Sequence, residues 1–250
     1  MIDVSVDFQI EWHKRVSSTN DVCQQYATKG AAEGIVVAAD FQEQGRGQRG
    51  NAWESQEGQN LTFSVLLRPT FLLVTEQFYL SKAISLAVSD WLIAYVTNKP
   101  VKIKWPNDIY IGDSKICGIL IENSFSSQYM ESSVVGVGIN LNQVSFPDDL
   151  PNPTSLLLET GTRVDPRKAL AELVNCIDGR YIQLTEGYRD NIDNDFFNAI
   201  YRKSQLCKYY SNGEEFYATI IGVQPIGELV LRTAEGAIRT FAFKEVTFVI

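Results

Sequence analysis

The spacing of apolar residues along the 250-residue chain predicts three helical regions. Apolar positions recur at intervals of three and four after Thr75, which predicts a long helix with Thr75 as its cap. A second helical region is expected from about Pro166 through Lys203, because proline suits the first helical turn. The segment SSTNDVCQQYATKG predicts a short helix with a Ser or Thr cap and Gly30 at its end.

Other apolar segments have the length and composition of β-strands. In chain order they are GIVVAADF, LTFSVLLRP, VKIKWPNDIYIG, KICGILIENS and SSVVGVGINLN. Beyond Leu206 the chain consists of short strands separated by glycine-containing turns. This segment is too small to be a robust fold alone, so we expect it to pack on the rest. The pattern predicts a catalytic domain over residues 1–205 and a small all-β domain over residues 206–250.

Composition and charge exclude several classes of function. A net charge of −8 argues against broad nucleic-acid binding but leaves room for a local basic pocket. The chain shows neither a secretion signal nor an apolar run of the ~20 residues that span a bilayer. The four cysteines are scattered, which is typical of free thiols in a cytoplasmic protein. His13 is the only histidine, so a Ser-His-Asp triad or a multi-histidine metal site is nearly excluded.

The segment Gly45–Gly50, GRGQRG, matches the dinucleotide-binding pattern G-x-G-x-x-G. In a Rossmann domain a helix follows this loop at once and holds the pyrophosphate. Here the following segment is interrupted by Gly58, lacks helical spacing and leads into a strand, so the Rossmann interpretation fails. Exposed backbone N–H groups, with Arg46 and Arg49, would still suit a carboxylate or phosphate. A mobile surface hairpin explains the loop equally well on its own.

The segment KWPNDIYIGDSKICGIL predicts a hairpin with its turn at Gly112–Asp113. This turn would pair Tyr110 with Lys115 and Asp108 with Cys117, which places all four on one face. Asp108 then lies diagonally across from Lys115, within reach of an ion pair.

The ion pair at this hairpin has two explanations. It could be purely structural. Alternatively, Asp108 could bind Mg²⁺ and Lys115 could bind an anionic reacting group. In the second case Gly118 would leave space for a ligand beside Lys115.

The segment GVGINLN carries two glycines within a predicted strand. Glycine weakens a strand, so Gly136 and Gly138 suggest a close approach of another group. Asn140 and Asn142 fall on one face and could read a base or a ribose through their amides.

Four motifs, in this order and at this spacing, resemble the biotin–protein ligases. They are SSTN, FQEQGRGQRGNAW, KWPNDIYIGDSKICGILIE and GVGINLN, and with the C-terminal β segment the resemblance covers nearly the whole chain. It implies an α+β fold with a mixed β-sheet flanked by helices, as in class II aminoacyl-tRNA synthetases and lipoate ligases. A small Src-homology-3-like β-barrel is implied at the C-terminus.

The resemblance implies a reaction in two steps. Biotin and ATP, with Mg²⁺, give biotinyl-5′-AMP and pyrophosphate. A lysine of a biotin carboxyl carrier domain, part of a biotin-dependent carboxylase, then takes the biotin. Some relatives carry an N-terminal DNA-binding domain, but SSTN begins at Ser17, so we expect neither DNA nor membrane binding. An exposed edge strand could support a homodimer.

Site residues follow from the resemblance, position by position. Biotin contacts are implied for Ser18, Thr19, Asn20, Gln42, Gly45, Arg46, Gly47, Gln48, Lys115 and Gly118. ATP contacts are implied for Arg46, Arg49, Trp53, Asn107, Lys115 and Asn140, and a metal contact for Asp108. Lys115, Arg46 and Asp108 are the expected catalytic residues. Gln48 stands where several relatives have another arginine, so one loop cation is missing.

Simpler explanations and alternative functions stay open at this point. Helix capping explains SSTN, and core packing explains Trp53. A lipoate or octanoyl ligase would share the fold, although the R-R-x-S-G-G-G segment of those enzymes is absent. A non-catalytic biotin- or adenylate-binding protein is favoured if Gln48 marks a lost activity.

Overall fold

A seven-stranded mixed sheet lies at the centre of the computed structural model, which describes residues 5–249 apart from the side chain of Arg49. Its strands are β1 (Gln9–Val16), β2 (Ile35–Gln42), β3 (Leu61–Leu67), β4 (Val101–Lys104), β5 (Asp108–Ile111), β6 (Ser114–Ser126) and β7 (Tyr129–Ile139). They are ordered β1-β2-β3-β7-β6-β5-β4. β1 pairs with β2 in parallel, and the other neighbours are antiparallel.

Helices cover both faces of this sheet. They are α1 (Thr19–Thr28), α2 (Phe78–Tyr95), α3 (Leu156–Thr160), α4 (Pro166–Thr185) and α5 (Arg189–Ala199). On β2 the side chains alternate, so that Val37 packs beneath α1 while Val36 and Ala38 join the main core with α2 and α4. In the described part of the chain no helix is long and apolar enough to cross a membrane.

A second, antiparallel sheet follows at the C-terminus. It contains β8 (Cys207–Ser211), β9 (Glu214–Val223), β10 (Leu229–Thr233), β11 (Ile238–Phe241) and β12 (Thr247–Phe248), ordered β11-β10-β9-β8-β12. Its interior is aromatic: Tyr209 packs against Phe216 and Phe248, and Phe216 stacks on Phe241. The predicted mixed sheet with a small C-terminal β unit is confirmed. The division into two domains at residue 206 stays a prediction.

Two helix predictions need correction. Thr75 does not cap the long helix, because it lies within a 3-10 turn over Val74–Glu76 and α2 begins at Phe78. The predicted helical region from Pro166 to Lys203 is two helices, since the chain turns at Gly187, whose φ of +85° suits glycine. Pro166 does occupy the first turn of α4.

Two elements were not predicted. β1 is a sheet edge and its sequence, QIEWHKRV, lacks strict alternation of apolar and polar residues. It forms because β2 offers backbone partners. α3 is only five residues long and lies between the last strand predicted for the central sheet and the helical region predicted from Pro166.

A buried lysine joins α2, α5 and the C-terminal sheet. The side chain of Lys82 is 2% exposed, and its ammonium donates to Asp193 on α5 at 2.5 Å and to the carbonyl of Val223 at 3.3 Å. It also lies 4.7 Å from the centre of the Tyr79 ring. The side chain of Asp193 is 41% exposed, so the two partners differ in their access to water.

This difference predicts unequal effects of removing each partner. Asp193→Ala leaves an ammonium buried without a counter-charge, and we expect a loss of about 3–5 kcal/mol in the free energy of unfolding. Lys82→Met leaves a carboxylate that water can hydrate, so the loss should be less than half as large. Urea unfolding of both variants measures this. Equal losses would show that burial of the ammonium does not set the cost.

Candidate active site

A cavity of about 470 Å³ lies on the face of the central sheet that carries α1. Alternate residues of β7 point to this face, and each lies beneath a different group. Val134 packs beneath α1, Gly136 lies under Asn20, and Gly138 lies under the indole of Trp53. The small residues of β7 thus lie at and beyond the N-terminal end of α1, and the cavity opens above them.

Glycine is required at these strand positions by protein side chains. A Cβ atom on Gly138 would lie 2.3 Å from the Trp53 ring, and one on Gly136 would lie 2.2 Å from Asn20 Oδ1. Gly118 pairs directly with Gly138, and its Cβ would lie 3.0 Å from the same ring. The space that the sequence assigns to a ligand at Gly118 is therefore filled by Trp53. Gly118 and Gly138 form a flat floor for the indole, called here the glycine floor.

One end of the cavity is neutral and rich in hydrogen-bonding groups. Thr19 donates to Gln42 Oε1 from its backbone N–H at 2.8 Å and from its hydroxyl at 3.0 Å. The buried Ser64 hydroxyl donates to Asn20 Oδ1 at 2.6 Å. Ser18 occupies the N-cap position of α1, but its side chain makes no capping hydrogen bond. Capping therefore does not account for Ser18, whose hydroxyl lines the cavity.

The charged end of the cavity is built on the β5–β6 hairpin. Tyr110 pairs with Lys115 as predicted, but a bulge then shifts the register. Asp108 consequently pairs with Gly118 instead of Cys117, which corrects the prediction. The bulge inserts one residue between two paired positions, an event that sequence alternation does not reveal.

The ion pair expected at this hairpin is present. Lys115 Nζ lies 2.7 Å from Asp108 Oδ1, and the two side chains are 33% and 22% exposed. The ammonium also lies 5.8 Å from the centre of the Trp53 ring. Because the pair is partly exposed within the cavity, a ligand anion can reach Lys115.

The loop Gly45–Gly50 is a small hairpin closed at its base. The backbone N–H of Trp53 donates to the Gly45 carbonyl at 2.9 Å, and Arg46 pairs with Ala52 across the loop. A single 3-10 turn over Gln48–Gly50 follows, and the chain then enters β3, so the rejection of a Rossmann loop is confirmed. Because Trp53 packs on the glycine floor and bonds Gly45, its position fixes the base of this loop.

Arg46 is held by two carboxylates. Its Nη2 atom lies 2.8 Å from Asp21 and 3.0 Å from Glu122. Asn20 also donates to Glu122, at 2.7 Å, which links the arginine to the neutral end of the cavity. An incoming phosphate has to compete with these carboxylates for Arg46.

A family model matches this region of the chain. The model describes the biotin/lipoate A/B protein ligase family and matches residues 12–140. The chain belongs to this family. The matched residues include α1, the glycine loop, the β5–β6 hairpin and β7, which together build the cavity.

Individual relatives extend the similarity beyond the family model. The bifunctional ligase/repressor BirA of Bacillus spizizenii is 34% identical over 226 residues, which cover 88% of this chain and 68% of that protein. The biotin–[acetyl-CoA-carboxylase] ligase of Paracoccus denitrificans is 32% identical, over 89% of this chain and 93% of that protein. The solved biotin protein ligase of Aquifex aeolicus, in complex with biotin and ATP, has a TM-score of 0.78 at 27% identity and covers 96% of this chain and 97% of that one.

Most of the predicted site residues lie together around the cavity. Those that line it are Ser18, Thr19, Asn20, Gln42, Arg46, Gly47, Gln48, Trp53, Asn107, Asp108, Lys115 and Gly118. Gly45 lies at the base of the loop, where a Cβ atom would meet the Trp53 carbonyl at 2.3 Å. The side chain of Arg49, expected to contact ATP, lies outside the described residues. The individual biotin and ATP contacts stay predictions.

Two of the asparagines serve the backbone of the protein. Asn140 is buried, donates to the Thr154 carbonyl at 3.0 Å and does not line the cavity. Asn142 bonds both the N–H and the carbonyl of Val164, so its amide is occupied. Asn107 does line the cavity, although its amide donates to the Ile119 carbonyl at 2.6 Å. A contact between Asn140 and ATP would therefore require rearrangement.

Two further cations line the cavity that the sequence does not single out. Lys104 precedes β5 and hydrogen-bonds to the Tyr110 hydroxyl at 3.0 Å. Lys244 lies in the loop between β11 and β12 and forms no ion pair with any residue in the described part of the chain. Lys104 lies inside the KWPND motif, whereas no local signal marks Lys244.

The cavity is a positive site in a negative protein. Its described lining holds four cations, Arg46, Lys104, Lys115 and Lys244, and one anion, Asp108, a formal sum of +3. The carboxylates of Asp21 and Glu122, which pair with Arg46 from outside the lining, lower the local charge to +1. The chain as a whole carries −8. This is the local basic pocket that the composition left open, and it suits a polyanion such as ATP.

The buried thiols near the site are poor nucleophiles. Burial raises the pKa of Cys117, and the neighbouring Asp108 carboxylate raises it further. Burial also raises the pKa of Cys23 to about 12. Both groups are neutral thiols at physiological pH, and only a thiolate attacks efficiently. The cavity is therefore suited to chemistry that needs no covalent enzyme intermediate.

The donor set fits magnesium only in company with a nucleotide. Among the described residues there is no group of three His, Cys, Asp or Glu side chains that could hold a metal. Mg²⁺ is commonly bound by one or two carboxylates together with substrate phosphates. Asp108, a single carboxylate at the cationic end, fits an ion carried in by ATP. Magnesium binding itself stays a prediction.

The glycine floor predicts a specific effect of one added methyl group. Gly138→Ala places a Cβ atom 2.3 Å from the Trp53 ring, so the indole must move away from β7. We expect a loss of about 1–3 kcal/mol in the free energy of unfolding and a changed tryptophan emission spectrum.

Gly179→Ala is the matched control for this substitution. Gly179 lies in α4, and a Cβ atom there would meet no group outside the helix backbone within 4 Å. Alanine at this position should therefore be neutral or stabilising by up to about 1 kcal/mol. Urea unfolding and fluorescence compare the two variants. An unchanged spectrum and stability for Gly138→Ala would disprove the close contact.

Proposed function

We propose that the protein is an ATP-dependent biotin–protein ligase. It forms biotinyl-5′-AMP from biotin and ATP and transfers biotin to a lysine of a biotin carboxyl carrier domain. The observation that carries this proposal is the polarity of the cavity, which joins a neutral hydrogen-bonding end to a cationic end. Biotin has the same polarity, with a ureido ring at one end and a carboxylate at the other.

The neutral end suits the ureido ring. The ring has N–H donors and a carbonyl acceptor, which hydroxyl and amide side chains can satisfy. Ser18 has a hydroxyl without a capping bond, and Thr19 and Gln42 lie beside it. Bound biotin would replace part of the hydrogen bonding between Thr19 and Gln42. One hydrogen bond between neutral groups would thus be exchanged for another.

The cationic end suits adenylation. The biotin carboxylate attacks the α-phosphorus of ATP, and pyrophosphate leaves. Negative charge builds up on a five-coordinate phosphorus, and fixed cations stabilise it. Lys115 and Arg46 supply this charge, while Lys104 and Lys244 add cations for the departing phosphates. When bound with ATP, Mg²⁺ would be held by Asp108 and would neutralise part of the phosphate charge.

The second step needs a free amine. The acceptor lysine loses a proton, its nitrogen attacks the carbonyl carbon of the mixed anhydride, and AMP leaves as the amide forms. Asp108 is the carboxylate nearest to Lys115 and is the proposed acceptor of that proton.

Removing Lys115 tests the first step. Lys115→Ala should lower biotin-dependent pyrophosphate release by at least about 100-fold, because a cation at the reacting phosphate is lost, while the fold persists. The assay contains biotin, ATP and Mg²⁺, with lipoate in a parallel reaction. Lys208→Ala, which removes a lysine paired with Glu215 on the C-terminal sheet, is the control.

A full test adds a carrier domain and detects biotin on it by streptavidin blotting. Near-normal activity of Lys115→Ala would contradict the assignment of this lysine. Pyrophosphate release with lipoate and none with biotin would indicate a lipoate ligase. Binding of biotin without pyrophosphate release would indicate a non-catalytic binding protein.

The missing loop arginine should affect how long the intermediate is retained. Gln48 lies in the same loop as Arg46, two residues further along the chain, and both line the cavity. Gln48→Arg restores a cation and should slow the release of biotinyl-5′-AMP by roughly tenfold, since a hydrogen bond to a charged group contributes about 1.5–3 kcal/mol. Filter retention of radiolabelled adenylate measures the rate. A rate unchanged from that of the parent protein would show that this position does not contact the phosphate.

A further inference from the structure

A second cavity of about 480 Å³ adjoins the active site. Pro106, Asn107 and Ile119 line both cavities, and so does Gln48. The second cavity lies between the start of α2 and the turn that joins β9 to β10. The second cavity is therefore separated only by these side chains from the centre where the proposed adenylate forms.

The β9–β10 turn is fixed against the central sheet. Phe78 N–H donates to the Pro225 carbonyl at 3.2 Å, and Trp105 Nε1 donates to the Gly227 carbonyl at 2.9 Å. Gly227 has a φ of +106°, and a Cβ atom there would lie 2.8 Å from the Phe78 ring. This close packing holds the next residue, Glu228, at the wall of the second cavity.

The second cavity differs from the first in charge. Glu228 is the one charged residue in its described lining, whereas the described lining of the first cavity holds four cations and one anion. The Glu228 side chain is partly buried and takes part in none of the ion pairs formed by residues 5–249. The rest of the wall is apolar or neutral, as with Ile121, Ile226 and Ser81. Such a cavity suits a cation on an aliphatic stem and not a phosphate.

Gln48 lies where the two cavities meet. Its side-chain oxygen is buried and has no hydrogen-bond partner among the described residues. A buried acceptor without a donor costs about 1–3 kcal/mol, so an N–H donor arriving here would be favoured. An arginine at this position would instead place a positive charge on the path between the cavities.

We propose that the second cavity is the entry path of the acceptor lysine. Glu228 draws the ammonium group in, the apolar wall contacts the aliphatic stem, and Gln48 leaves the junction neutral. The amine then loses its proton, attacks the carbonyl of the mixed anhydride and displaces AMP, as in the proposed second step. Glu228 is thus a binding residue for the acceptor, not a catalytic one. This inference rests on the proposed ligase function and adds the route of its second substrate.

The test separates the two half-reactions. Biotin-dependent exchange of pyrophosphate into ATP reports the first step, and transfer from preformed adenylate reports the second. Two acceptors are compared: a biotin carboxyl carrier domain, which offers an ammonium, and hydroxylamine, which is neutral at pH 7.5. The variants are Glu228→Lys, which reverses the charge, and Ile226→Trp, which narrows the mouth of the cavity. Glu214→Lys makes the same change of charge at an exposed site on β9.

We expect Glu228→Lys to exchange pyrophosphate normally and to raise the KM for the carrier domain by roughly tenfold or more. The rate with hydroxylamine should stay unchanged, and the difference should shrink in high salt because screening weakens the attraction. Ile226→Trp should slow transfer to the carrier with little effect on exchange. Glu214→Lys should resemble the parent protein in every assay.

Two results would overturn the entry path: a parental KM for the carrier in both Glu228→Lys and Ile226→Trp, or equal losses with hydroxylamine and the carrier. A parent protein that exchanges no pyrophosphate in the presence of biotin would refute the proposed function itself. The two failures are therefore distinguishable within one set of measurements.

Discussion

The site depends on the contact between the Trp53 indole and the glycine floor. Because Gly118 and Gly138 pair directly on β6 and β7, two neighbouring positions of the sheet lack side chains and the ring can lie on the backbone. The backbone N–H of Trp53 also closes the base of the glycine loop through the Gly45 carbonyl. One contact thus ties a surface loop to two inner strands of the central sheet. The glycines of GRGQRG allow the loop to bend, but the glycines of the sheet determine where it stands.

The cations of the cavity fall into two groups that differ in their partners. Arg46 and Lys115 are each paired with carboxylates before any ligand binds, so neither presents a full positive charge to solvent. Within residues 5–249 no carboxylate forms an ion pair with Lys104 or Lys244, and these two lysines give the cavity its net charge. The unpaired lysines can attract an anionic ligand over a long range. Arg46 and Lys115 act only at short range, where a ligand anion replaces their carboxylate partners. The C-terminal unit takes part in the long-range attraction, because Lys244 lies in its loop between β11 and β12.

What the sequence predicted correctly was mainly local. The contact of Asp108 with Lys115 follows from a tight turn and from strand alternation, and it survives a bulge that changes the register by one residue. Contacts between distant segments were not predictable: Glu122 reaches Arg46 from 76 positions away, and Lys244 enters the cavity only because the second sheet docks beside it. β1 was missed for a related reason, since an edge strand buries little and so lacks a hydrophobic pattern. Asn140 shows the opposite error: the sequence predicted a ligand contact, but its side chain donates to a backbone carbonyl.

Gln48 gains a physical interpretation from these arrangements. Under the proposed function, an arginine there would add to the positive charge of the first cavity and hold the adenylate more firmly. It would also raise the potential along the route by which a cationic acceptor has to arrive. A positive charge at this position would therefore favour retention of the intermediate and disfavour entry of the acceptor lysine. Under the proposed function, a neutral glutamine whose carbonyl has no partner among the described residues would weaken the first and favour the second. The proposed ligase would then depend on Arg46 and on prompt transfer to keep the reactive intermediate from escaping.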